Sequence, residues 1–99
     1  MSVSLVSLLN RVYQGDPDAV TELITGYYPM MYKTALGILG NSSDAQDVVQ
    51  DASIKLIRNI KQLDNVNSFE PWVKRIVRNE ALDYMKTAYK SHNVMWTDM

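Results

Sequence analysis

Ser42–Lys61, SSDAQDVVQDASIKLIRNIK, decides the fold. Wound at about 100° per residue, it gathers Ala45, Val49, Ala52, Leu56 and Ile60 into a sector about 80° wide, the signature of a helix pressed against a core. Ser43 with Gln46 three residues later has the pattern of a capping box, so the spacing predicts a helix of about five turns, Asp44 to Lys61. Opposite the apolar sector lie Asp47, Gln50, Asp51, Ile54, Arg58 and Lys61. Ile54 stands out there, because a β-branched apolar side chain has no reason to sit on a polar face unless something covers it. An acidic stripe around an isoleucine has the make-up of a protein-docking surface, although single exposed apolar residues also occur on plain surface.

Working outward, the chain reads as helix with short punctuation. Upstream, Leu5, Leu8, Leu9 and Val12 repeat at helical spacing within Val3–Gln14, and Gly15 closes that helix. Asp16 caps a second helix with Pro17 at its first position, where a missing N–H does no harm. Its broad apolar face runs from Ala19 to Leu39, Pro29 should kink or break it near Gly26, and Gly40-Asn41 is a strong stop. Downstream, Leu63–Ser68 (LDNVNS) reads as a polar loop, and Ser68 as the cap of a fourth helix from Phe69 to about Tyr89. SHNVMWTDM, beyond Lys90, has no periodicity. The expectation is an all-α protein, a compact bundle of about four helices with helix 2 kinked near Pro29. Residues 1–90 form its domain, and 91–99 a flexible tail or the start of a linker.

The fourth helix has two characters. Phe69, Val73, Ile76, Val77 and Tyr84 share one face, whereas Lys74, Arg75, Arg78 and Lys86 cluster on the other with Asn79 at its flank. Three bases within five residues can neutralise phosphates, and an asparagine beside them can hydrogen-bond a base edge. The competing reading is a solvated basic face paired locally with Glu70, Glu80 and Asp83. Trp72 falls at the edge of the apolar sector and reads as core. Glu80 falls near the middle of that sector, where the pattern offers no partner for it.

Composition narrows the function. Ninety-nine residues, 46% hydrophobic and 21% charged, make one domain with a single core. With no cysteine, a disulfide framework, a thiolate metal site and a cysteine nucleophile are all excluded. The net charge of −1 hides an asymmetry: two bases face six acids in residues 1–51, and eight face five in residues 52–99. Such segregation suits two surfaces with different partners, one basic and one polyanionic. Apolar runs are too short for a bilayer, and the N-terminus lacks a basic stretch before its hydrophobic residues, so a cytoplasmic location without membrane insertion is expected. The lone His92 has no serine partner at a recognisable spacing, and no glycine-rich loop holds phosphate. No metal, cofactor or catalytic residue is expected. The chain reads as a binding protein.

From about Gln14 to Lys86 the chain resembles region 2 of the bacterial extracytoplasmic-function sigma factors. The resemblance rests on DAQDVVQD (Asp44–Asp51) and FEPWVKRIVRN (Phe69–Asn79), in that order and with 17 residues between them. It implies that the first block docks on the coiled-coil clamp helices of the RNA polymerase β′ subunit through Asp47, Gln50, Asp51, Ile54 and Ile57. It implies that the second block and the loop before it bind the non-template strand of the promoter −10 element and help to melt it. The matching DNA-binding positions are Leu63, Asp64, Asn65, Val66, Asn67, Ser68, Phe69, Ile76 and Asn79, with Lys74, Arg75 and Arg78 on phosphates. Capturing an unstacked base favours opening without ATP, because the pocket replaces the lost stacking. An anti-sigma factor is a further implied partner. Gln46 stands where the family usually has glutamate, and ALDYMKTAYK carries less arginine than is usual. Region 4, the family's second domain, is expected either to have been cut away after Lys90 or to be a separate chain. The alternative is a regulatory module of the same fold that binds polymerase or an anti-sigma factor without reading DNA.

Overall fold

The computed structural model describes residues 4–63 and 65–97, with side chains through Thr87. Four α-helices, α1 (Leu5–Tyr13), α2 (Pro17–Leu39), α3 (Ser42–Asn59) and α4 (Phe69–Thr97), occur among these residues, without strands. Helices α2, α3 and α4 pack on one another, and α1 packs on α2. The all-α bundle expected from the sequence is the fold.

The boundaries follow from local chemistry. The Ser4 hydroxyl accepts from the Ser7 N–H at the start of α1, and Gly15, at φ 85°, turns the chain after it. The Asp16 carboxylate accepts from the Asp18 N–H at 3.0 Å, with Pro17 next, as the sequence predicts. α2 ends at Gly40, whose φ of 68° lets its N–H close on the Leu36 carbonyl at 2.8 Å. Asn41 then turns extended, and its side chain accepts from the Asp44 N–H at 3.0 Å. The cap of α3 is therefore Asn41, not Ser43, and the helix starts at Ser42. With Gly40 already in the left-handed conformation, the connection is complete two residues earlier than a capping box at Ser43 would allow.

One further expectation is narrowed and two change. Pro29 does not break α2, although it denies the Thr25 carbonyl a donor. Leu23 before it and Met31 and Ala35 after it are buried in one core, so both halves pack on the same elements. α3 gives way at Ile60 to a 3-10 turn, Ile60–Gln62, instead of continuing to Lys61. The segment before α4 is not all loop: Asn65 caps a 3-10 turn, Val66–Ser68, by accepting from the Asn67 N–H at 2.9 Å, and this turn runs straight into α4. The α4 bounds extend beyond the expected end near Tyr89, while the tail or linker role expected of 91–99 lies outside the described side chains, as does Asp64.

One apolar core joins the helices. Phe69, Val73, Val77 and Ala81 enter it from α4 at a four-residue spacing, facing Ala45, Val48, Val49, Ala52 and Leu56 of α3. Alanines 19, 35, 45, 52 and 81 are all fully buried, and their small side chains allow the helix backbones to approach closely. No polar or charged side chain is buried among the described residues, so apolar burial is the main force holding the bundle together.

Candidate functional site

With its core sector buried, α3 turns its opposite face to solvent. Asp47, Gln50, Asp51, Ile54 and Ile57 are all exposed, Ile54 by 46% and Ile57 by 38%. The two isoleucines lie on one rim of an open groove of about 500 Å³ between α2 and α3, with Ile24 and Tyr28 on α2 and Gln46, Gln50 and Ser53 on α3. The α2 side was missed by the sequence reading. Ile24 and Tyr28 fall inside a broad apolar face, and only the breadth of that face, wider than one core contact needs, hinted that part of it remains open. This apolar cleft with Asp47 and Asp51 nearby can take an aliphatic side chain of a basic helical partner.

The α4 face divides differently from the expectation. Lys74, Arg75, Arg78 and Asn79 are exposed, and the three bases line a shallow groove of about 380 Å³ with Pro71 and with Thr34 of α2. Lys74 pairs with Glu70 at 3.7 Å, whereas Arg75 and Arg78 form no ion pair among the described residues, so the locally paired reading fails for two of the three. Phe69 is a correction. It is fully buried, edge-on to Tyr27 with ring centroids 5.0 Å apart and tilted against Trp72 at 6.0 Å, so it shapes the site from beneath and cannot touch DNA. Ile76 is half-buried. Of the preceding segment, Asn65, Asn67 and Ser68 are exposed, Leu63 and Val66 are half-buried against the core, and Asp64 lies outside the described residues.

Polar contacts tie the two helices together. The Tyr84 hydroxyl donates to Asp44 Oδ1 at 2.7 Å, and this bond holds its pKa above the usual tyrosine value. Lys55 Nζ meets Glu80 Oε1 at 2.9 Å, which raises the lysine pKa and gives Glu80, only 13% exposed, the partner that the helical wheel did not reveal. A Lys–Glu contact between helices leaves no signal in the periodicity of either one. Where α1 meets α2, Arg11 bridges Asp16 and Glu22 at 3.1 and 2.8 Å, and the first of these bonds lowers the Asp16 pKa.

Among the described residues no three potential ligand side chains cluster to hold a metal ion, and no helix is long and apolar enough to cross a membrane. The sequence pattern of Sigma-70 region 2 matches residues 23–90. Over 86 residues the chain is 29% identical to the ECF RNA polymerase sigma factor SigW of Bacillus subtilis, spanning 87% of this chain and 46% of that protein. It is 33% identical over 82 residues to the ECF RNA polymerase sigma-E factor of Haemophilus influenzae, spanning 80% and 41%. It is 26% identical over 89 residues to the RNA polymerase sigma-H factor of Bacillus subtilis, spanning 88% and 41%. The chain thus spans less than half the length of these relatives.

Proposed function

The chain belongs to the sigma-70 region 2 family, and from that premise we propose that it is the domain of a sigma factor that binds RNA polymerase through α3 and the promoter −10 element through α4. The observation that carries the polymerase half is the pair of exposed isoleucines, Ile54 and Ile57, on the rim of an apolar groove beside Asp47 and Asp51. Apolar anchors in the cleft supply affinity to the β′ clamp helices, and the carboxylates match their basic surface and fix the register. For the DNA half, Asn79 and the exposed residues Asn65, Asn67 and Ser68 hydrogen-bond an unstacked base of the non-template strand, while Lys74, Arg75 and Arg78 neutralise phosphates. The protein does no covalent chemistry and works in the cytoplasm, without a cofactor. Promoter opening draws on binding energy alone.

Fluorescence anisotropy of the chain against a β′ clamp-helix fragment tests the first half. Saturable binding, lost in Asp47→Arg and in Ile54→Lys, is the expected result, and no binding by the unaltered chain would sink it. For the second half, the Asn79→Ala variant should still assemble with core polymerase, but the complex should hold a single-stranded −10 sequence more weakly.

A second reading draws on Leu82 and Met85, exposed by 40% and 45% on α4 beyond Asn79. Apolar side chains there suit a protein such as an anti-sigma factor better than a phosphate backbone. In a purely regulatory module, Asn79→Ala would leave every DNA measurement unchanged.

A further inference from the structure

Residues 1–51 contain two bases, and they are used differently. Arg11 is engaged by Asp16 and Glu22. Lys33, exposed on α2, forms no ion pair among the described residues. It lines a groove of about 410 Å³ with Pro29, Met30 and Thr34 and, across the helix boundary, with Lys74 of α4. That groove adjoins the one lined by Arg75 and Arg78, since Thr34 and Lys74 border both. Four cations from two helices therefore share one continuous concave face. Among the described residues Glu70, at 3.7 Å from Lys74, is the one carboxylate paired with any of them.

Cations gathered in this way repel one another, and their combined field suits an anion long enough to meet several of them. We propose that Lys33 carries the phosphate-binding face from α4 onto α2, so that the backbone of double-stranded DNA lies along the joined grooves. This rests on the DNA-contact reading above and adds to it a second helix and a contact that does not read sequence. Duplex is favoured over single strand because prolines, a methionine and a threonine separate the cations, leaving no aromatic platform in the groove for unstacked bases. Two packed helices also present a stiff, pre-set surface to a stiff ligand.

The test is the salt dependence of binding, measured by anisotropy with the whole chain over a range of salt concentrations, against a labelled promoter duplex and, separately, its non-template single strand. Each phosphate neutralised on a duplex contributes about 0.9 to the slope of log K against log salt. Lys33→Gln should flatten that slope by about 0.9, to the same extent as Arg75→Gln, while Arg58→Gln, an equal charge change outside the grooves, leaves it unaltered. Because Lys33 is exposed, an unchanged melting temperature is expected and separates a lost contact from a lost fold. If Arg75→Gln flattens the slope and Lys33→Gln does not, the extension onto α2 is wrong and the α4 reading stands. Flattening confined to a single strand would overturn the choice of duplex. Absence of DNA binding by the unaltered chain would overturn both.

Discussion

Lys55→Met should cost more stability than Glu80→Met, although both remove the same 2.9 Å ion pair. The lysine side chain is 54% exposed and the glutamate 13%. Without Glu80, the Lys55 ammonium swings into water at little cost. Without Lys55, a largely desolvated carboxylate remains in a cleft also lined by Asp51 and Asp83. An unpaired buried polar group costs about 1–3 kcal/mol, and partial solvent access puts this case at the low end, about 1 kcal/mol. Glu80→Met, which puts an apolar side chain on an apolar face, should cost no more than about 0.5 kcal/mol. In the double variant the stranded charge is gone, so its stability should return to that of Glu80→Met, a coupling of about 1 kcal/mol. For a domain of this size that corresponds to roughly 4–8 °C in melting temperature, readily measured by circular dichroism. Raising the salt should shrink the Lys55→Met deficit, because the repulsion among the three acids is screened. Equal losses in the two single variants, or a double variant as unstable as Lys55→Met, would refute the reasoning.

Asn41→Ala should destabilise by about 1 kcal/mol while Ser43→Ala stays within a few tenths, since only Asn41 caps α3; urea midpoints of the two variants check this. Phe69→Ala should cost about 3–5 kcal/mol. Phe69→Leu, which keeps most of the volume, should fold and bind DNA at nearly the unaltered affinity, an outcome a direct base contact would not permit. Tyr84 has a folded pKa above its unfolded value, so its bond to Asp44 contributes fully below the unfolded value and is lost as pH rises through the folded one. Tyr84→Phe should therefore lower stability at neutral pH and weaken the alkaline decline, measured by denaturation between about pH 8 and about 11.

Helix periodicity was the part of this molecule most legible in the sequence. All five residues assigned to the core sector of α3 are buried, and all six assigned to its outer face are exposed, because a 3.6-residue repeat carries that information within one segment. Facts that depend on two segments were not legible. The Lys55–Glu80 pair, the α2 wall of the isoleucine groove and the nearness of Lys33 to Lys74 each need the packing of two helices. Phe69 was assigned both to the apolar face and to the DNA contacts. Its rings of contact, Tyr27 and Trp72, decide for the core. Asn41 was hidden differently: it and Ser43 are both good caps, and the left-handed Gly40 selects between them.

The Gly40-Asn41 turn also acts at a distance. Both of its residues are committed, Gly40 closing α2 and Asn41 opening α3, so the two helices leave it as the arms of a pair of tongs. Ile54 lies 13 residues beyond Asn41, about 20 Å along the arm at 1.5 Å per residue. A change of about 5° at the pivot moves the isoleucine tip by about 2 Å. An alanine at Gly40, forced into a left-handed backbone or out of it, would therefore alter the bite of the groove from its far end.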